Sequence, residues 1–232
     1  MRFRHMAGAA GMACGARRGA AAMATAVALA VGLWAGAEAR QTARPLDHHA
    51  VVLNGGLIGS AFPIGEGLAL TNAHVVRGRG RGGEVMLSVE GRGLASAEVV
   101  AVSGRMDLAV LRIPEGMLAP TSPRDAPLRA GLRVRGAGVD ASGRVPGPRM
   151  ELSGAVETLG ARLPAYGPGV IVRMPGVRPG FSGGPVVDGA GRLVGMIAAI
   201  RANGPGPADE AYVLGAAEIR AEARRLVAGA DG

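Results

Sequence analysis

Ser182 lies in Gly180-Phe181-Ser182-Gly183-Gly184, a setting that suits a nucleophile. Glycine on both sides lets the backbone turn sharply, exposes the hydroxyl and gathers N–H groups into one small volume. A serine hydroxyl is a weak nucleophile unless a histidine base activates it and a third group orients that base. The pentapeptide also fits the Gly-x-Ser-x-Gly turn in which the acid and then the histidine follow the serine. After Ser182 the chain has Asp188, Asp209 and Asp231 but no histidine, so that order fails. The order His, Asp, Ser remains. His74 sits in Leu70-Thr-Asn-Ala-His-Val-Val76, just past an apolar run, and Asp107 heads Asp107-Leu-Ala-Val-Leu111. Alone, such an Asp reads as a turn residue and such a Ser as part of a loop. Together, in order and each at a strand edge, the three point to acyl transfer.

The elements that must position them are short. From Val51 onward, apolar runs alternate with Gly-rich breaks, among them 57–64, 67–70, 84–89, 97–102, 108–113, 132–139, 151–159, 170–174, 193–200 and 211–214. Such spacing predicts an all-β chain, an antiparallel sandwich or barrels, and not βαβ units. A Pro-rich stretch, 114–127, divides the strands into two groups. Only the end predicts a helix, with Ala216, Ile219, Ala223, Leu226 and Val227 on one face and Gly229 as its stop. Residues 40–50, with Pro45 and the pair His48-His49, read as an extended, solvated lead-in. Adjacent histidines can bind a metal, but nothing nearby completes a site. Arg77-Gly-Arg-Gly-Arg-Gly-Gly83 reads as a solvated loop, with an anionic partner as the alternative.

Composition bounds the rest. The chain has 232 residues and a net charge of +8, and all 26 of its basic residues are Arg. Gly and Pro are abundant, yet Leu, Ile, Val and Phe make about 23%, above the disordered range. Aromatics are only 3%, too few for a stacking binder of single-stranded nucleic acid. The one cysteine, Cys14, excludes an internal disulfide and any cysteine zinc site. No metal or other cofactor is expected, and no nucleic-acid partner. Residues 1–39 read as a signal peptide: Arg2, Arg4, Arg17 and Arg18, an Ala-rich apolar run, then Ala37-Glu38-Ala39 for cleavage after Ala39. An uncleaved anchor, a start at Met12 and a twin-arginine route are the alternatives. With four Arg and one Glu removed, the charge of +8 becomes +5. Export to the periplasm or beyond is the expectation, with no stable membrane span after cleavage.

Four segments carry a family resemblance. Gly59-Ser-Ala-Phe-Pro-Ile64, the His74 motif, the Asp107 motif and Pro179-Gly-Phe-Ser182-Gly-Gly-Pro-Val-Val-Asp188 resemble the chymotrypsin-like peptidases of bacterial HtrA/Deg type. Leu128-Arg-Ala-Gly-Leu-Arg-Val134, Gly191-Arg-Leu-Val-Gly-Met-Ile197 and Ala211-Tyr-Val-Leu214 are similar to it too, so the likeness runs from about Gly56 to Val227. It implies two antiparallel β-barrels, the first over about 50–118 and the second over about 128–215, then a helix over about 216–228. It implies a serine endopeptidase in which His74 and Asp107 come from the first barrel and Ser182 from the second, with protein or peptide substrates. The N–H groups of Gly180 and Ser182 would form the oxyanion hole. The primary pocket would be walled by Gly176, Val177, Ala198, Ala199, Ile200 and Val213, a lining without carboxylates that predicts a small or medium apolar residue before the cut.

The chain departs from the family in three places. Phe181 stands where relatives of this type have Asn or Asp, Gly136-Ala-Gly-Val-Asp140 replaces the usual Gly-Asn-Pro segment, and no PDZ domain is expected after the helix. Two alternatives follow: a catalytically silent, protease-shaped module for binding peptides, and an envelope protein that binds polyanions. Oligomeric state is not legible.

Overall fold

The computed structural model describes residues 43–201 and 208–230; the expected leader and its expected cleavage site lie outside them. Twelve strands close into two six-stranded antiparallel barrels. The first is built from β1 (Ala50–Asn54), β2 (Leu57–Gly65), β3 (Leu68–Thr71), β4 (Glu84–Val89), β5 (Gly93–Val102) and β6 (Ala109–Arg112), in the order β1-β2-β3-β6-β5-β4. The second uses β7 (Arg133–Val139), β8 (Arg149–Leu163), β9 (Gly167–Arg173), β10 (Pro185–Asp188), β11 (Leu193–Arg201) and β12 (Glu210–Gly215), in the order β10-β11-β12-β9-β8-β7. One helix follows, α1 (Ala216–Ala228). The predicted pair of barrels with a C-terminal helix is the observed fold. Closure leaves neither sheet with a free edge.

Alternation decides which residues form each core. Along β4 the even steps, Val85, Leu87 and Val89, point into the first barrel beside Val52, Val99 and Leu111. Along β12 every residue is buried, because both faces are covered. Ala211 and Val213 turn into the second barrel, while Tyr212 and Leu214 join a third cluster between the barrels. That cluster gathers Phe62, Leu70 and Leu108 from the first barrel, Leu193 and Met196 from the second, and Ile219, Ala223 and Leu226 from α1. The linker is docked on both sides: Thr121 donates its N–H to Pro63 O at 3.1 Å, and Leu193 donates to Ser122 O at 2.8 Å. Arg124 also pairs with the buried Asp188.

Three expectations change. β1 and β10 were not among the predicted runs; β10 starts at a proline, allowed at a strand's first residue, and is hemmed by glycines. The His48-His49 pair is not solvated: the two residues are 5% and 0% exposed. The cause is Arg149 on β8, whose Nη2 donates to Leu46 O at 2.7 Å and to His49 O at 2.8 Å, clamping the lead-in onto the second barrel. The Arg-Gly loop is exposed but not free. Arg79 Nε donates to Asn54 Oδ1 at 3.0 Å, and Arg81 reaches the carbonyl of Ala230.

Candidate active site

His74 lies in the turn that leaves β3, and Asp107 just ahead of β6, the strand paired with β3. That adjacency brings the two side chains together. Asp107 takes His74 by two bonds: the backbone N–H of His74 donates to Oδ1 at 3.0 Å, and ring Nδ1 lies 2.7 Å from Oδ2. The carboxylate can only accept, so Nδ1 carries the proton and Nε2 is left as the acceptor. Asp107 is 6% exposed and the His74 side chain 33%. The charge is thus sheltered while the imidazole remains reachable.

Groups around Asp107 hold its own backbone. Asn72 Nδ2 donates to Asp107 O at 2.8 Å, and Asp107 N–H donates to Tyr166 O at 3.1 Å across the barrel boundary. The Tyr166 ring meets His74 edge-on, with centroids 6.5 Å apart. In the preceding turn, Ser103 Oγ accepts the N–H groups of Arg105 and Met106 and donates to the buried Glu222 of α1. Arg225 beside Glu222 holds its carboxyl well below the usual range, at about 2. None of these four residues, Asn72, Tyr166, Ser103 or Glu222, was singled out in the sequence.

Ser182 arrives differently. Its loop is seated by close backbone approaches that only glycine permits. A Cβ on Gly183, where φ is +85°, would lie 1.9 Å from Ser60 O, and one on Gly184 would lie 1.9 Å from Ala137 O. Gly180, with φ +97°, passes so near Val139 that a Cβ would sit 2.2 Å from its carbonyl oxygen. Ser60 N–H donates to Ser182 O at 2.8 Å, which ties the loop to β2. Gly59 is the point where the pieces meet, because a Cβ there would touch both Val75, the neighbour of His74, and Ser182 O. Phe181 turns inward, fully buried in the second barrel against Gly138. Its ring anchors the loop by packing.

The N–H groups of Gly180 and Ser182 have no protein acceptor among the described residues. The carbonyl of Pro179 accepts Ala141 N–H at 2.9 Å, so this peptide plane is already fixed. Of the residues expected to wall the pocket, Val177, Ala198 and Val213 lie within the core clusters at 1%, 1% and 0% exposure. Gly176, Ala199 and Ile200 are the half-buried ones. Arg178 pairs with Asp140 at 3.0 Å and donates to Gly176 O, so its charge is already matched.

The trypsin-like peptidase domain model matches residues 59–196. A protein of Synechocystis sp. named as a serine protease, HhoA, is 30% identical over 168 residues, covering 67% of this chain and 41% of its own length. The chain therefore spans about two-fifths of that relative. Among solved structures, the HtrA-type protease AlgW with tripeptide superposes with a TM-score of 0.69 at 23% identity, over 79% of this chain and 61% of that one. The active form of the Rv3671c protease from M. tuberculosis gives 0.64 at 22%, over 78% and 82%. These likenesses carry the fold.

Proposed function

The chain belongs to the trypsin-like serine peptidases, a family whose relatives here include HtrA-type proteases, and on that premise we propose that it is an exported endopeptidase working through His74, Asp107 and Ser182. The observation that carries this reading is the two-point hold of Asp107 on His74. It fixes the ring's tautomer and orientation, leaving Nε2 as the only basic nitrogen. Ser182 Oγ attacks the scissile carbonyl and gives its proton to Nε2. The charge that grows on the substrate oxygen is met by the N–H groups of Gly180 and Ser182, which have no protein acceptor among the described residues. Such donors are worth about 3–4 kcal/mol each in the transition state. His74 then passes the proton to the leaving amine, and the acyl-enzyme is hydrolysed by a water that His74 deprotonates in turn.

Peptide is the proposed ligand class, and AlgW is a relative solved with a tripeptide. Gly176, Val177, Ala198, Ala199, Ile200 and Val213 are proposed to shape the primary pocket. A substrate Arg or Lys would find no carboxylate among them. Arg178, already paired with Asp140, offers an acidic substrate side chain no unmatched charge. Residues 1–39 are proposed as a cleaved signal for export to the periplasm or outside the cell. Labelling of the intact protein by a fluorophosphonate tests the reading. The expected result is modification of Ser182 alone; an unlabelled, folded protein would overturn it. Cleavage of a peptide mixture, scored by mass spectrometry, should show small or medium apolar residues before the cut.

A further inference from the structure

A chain of polar groups that the mechanism above does not use runs from the second barrel, through the first, to the nucleophile loop. Arg149 Nε donates to His49 Nδ1 at 3.0 Å. A guanidinium can only donate, so Nδ1 accepts and the proton of this imidazole sits on Nε2. That nitrogen lies 2.8 Å from Ser60 Oγ, and Ser60 Oγ lies 2.7 Å from Gly180 O. Each donor is thereby assigned: Arg149 to His49, His49 to Ser60, and Ser60 to the carbonyl of Gly180. Both His49 and Ser60 are fully buried. Burial and the Arg149 charge push the His49 imidazole down to about 3, so it stays neutral in this geometry.

We propose that His49 and Ser60 are positioning residues of the peptidase site, which hold the Gly180–Phe181 peptide plane and so keep the Ser182 N–H in register with the Gly180 N–H at the oxyanion. Gly180 is the residue that most needs holding. It has no side chain, its φ of +97° lies in the glycine region, and its ψ sets how the Ser182 N–H stands relative to its own N–H, which the preceding peptide carries. The plane before it is fixed by the bond from Ala141 N–H to Pro179 O. The plane after it is fixed on its carbonyl side by the Ser60 hydroxyl. Because a trans peptide sets C=O and N–H on opposite sides, the same bond turns Phe181 N–H toward Arg178 O, 3.2 Å away. Without the hydroxyl, Gly180 ψ is left to a residue with the widest choice of angles.

The inference rests on the peptidase reading, and the test separates the two. Full-length protein, Ser60→Ala, His49→Gln and His49→Ala are compared for kcat and KM on a peptide substrate. A peptide aldehyde, whose adduct with Ser182 bears the oxyanion, is compared as an inhibitor with the matching peptide alcohol, which forms none. Ser60→Ala should lose about 10- to 100-fold in kcat and a similar factor in aldehyde affinity, with KM and alcohol affinity within about two-fold. Glutamine keeps an N–H donor, so His49→Gln should retain several-fold more kcat than His49→Ala. A Ser60→Ala kcat within about two-fold of the parent overturns the proposal, as does equal loss toward aldehyde and alcohol. Should Ser60→Ala fail to fold, equal kcat in the two His49 variants overturns it. A parent protein unreactive toward fluorophosphonate removes the peptidase reading, and this inference with it.

Discussion

The two barrels hold their shares of the site by opposite means. In the first, polar side chains do the work: Asp107 grips His74 at two points, Asn72 caps the Asp107 carbonyl, and Glu222 reaches from α1 to brace the turn at Ser103. In the second, the Ser182 loop is placed by what is missing, since Gly180, Gly183 and Gly184 each pass where a Cβ would strike a carbonyl within 2.2 Å. The proposed base and its acid need exact charge partners, which side chains supply. The proposed nucleophile must stand on a sharp bend with N–H groups facing inward, and added atoms would only obstruct it. The first arrangement should therefore fail by losing hydrogen bonds, the second, beyond its bond from Ser60, by gaining volume.

The sharpest break in that contrast comes from the reacting groups themselves. Ser182→Ala and His74→Ala should each abolish hydrolysis of an unfolded protein substrate with the fold intact by circular dichroism; near-normal turnover by purified Ser182→Ala protein would refute the assignment. Asp107→Asn keeps the shape but removes an acceptor, and its loss should be about four decades in kcat. Next comes volume. Gly183→Ala forces a methyl against Ser60 O, and a shift of about 1 Å in the loop should cost on the order of 100-fold in activity. Gly104→Ala, in the first-barrel turn, meets open space and should leave kcat unchanged. Equal effects at both glycines would erase the distinction between the barrels.

Acid titration gives a smaller effect. Unfolded His49 takes up a proton below its ordinary value of 6.5, whereas the folded group does so only near 3. Stability should thus fall as pH drops through that window, and His49→Gln should flatten the slope. Glu222 behaves as a depressed carboxyl: its contribution is full above about 4.5 and is lost as pH falls toward 2. Glu222→Gln should remove that loss at a cost of about 1–3 kcal/mol at neutral pH, read by urea titration.

Much of this was legible in the residues. The proposed trio announces itself because its residues follow in the order His, Asp, Ser and stand in specific settings, and the short apolar runs implied an antiparallel sandwich or barrels, of which the family resemblance chose barrels. The supports were not legible. Ser60 and Asn72 are ordinary polar residues, and Tyr166 acts largely through its backbone carbonyl. His49 was read as solvated because its partner, Arg149, lies about a hundred positions away, and only the closure of two barrels brings them within 3.0 Å. β10 hid for another reason: four residues between glycines carry too little pattern for alternation to register.

Helix α1 has a consequence beyond its clamp on Ser103. Its apolar face shares one cluster with Val100 and Leu108 of the first barrel and with Met196 and Leu214 of the second. Neither barrel can melt while the other persists without stripping that shared interior bare to water. The molecule should therefore lose its structure, with a gain in heat capacity, in a single calorimetric transition, and the slowest-exchanging amides of β6 and β11 should open with the same free energy. Three elements from opposite ends of the chain make one cooperative unit.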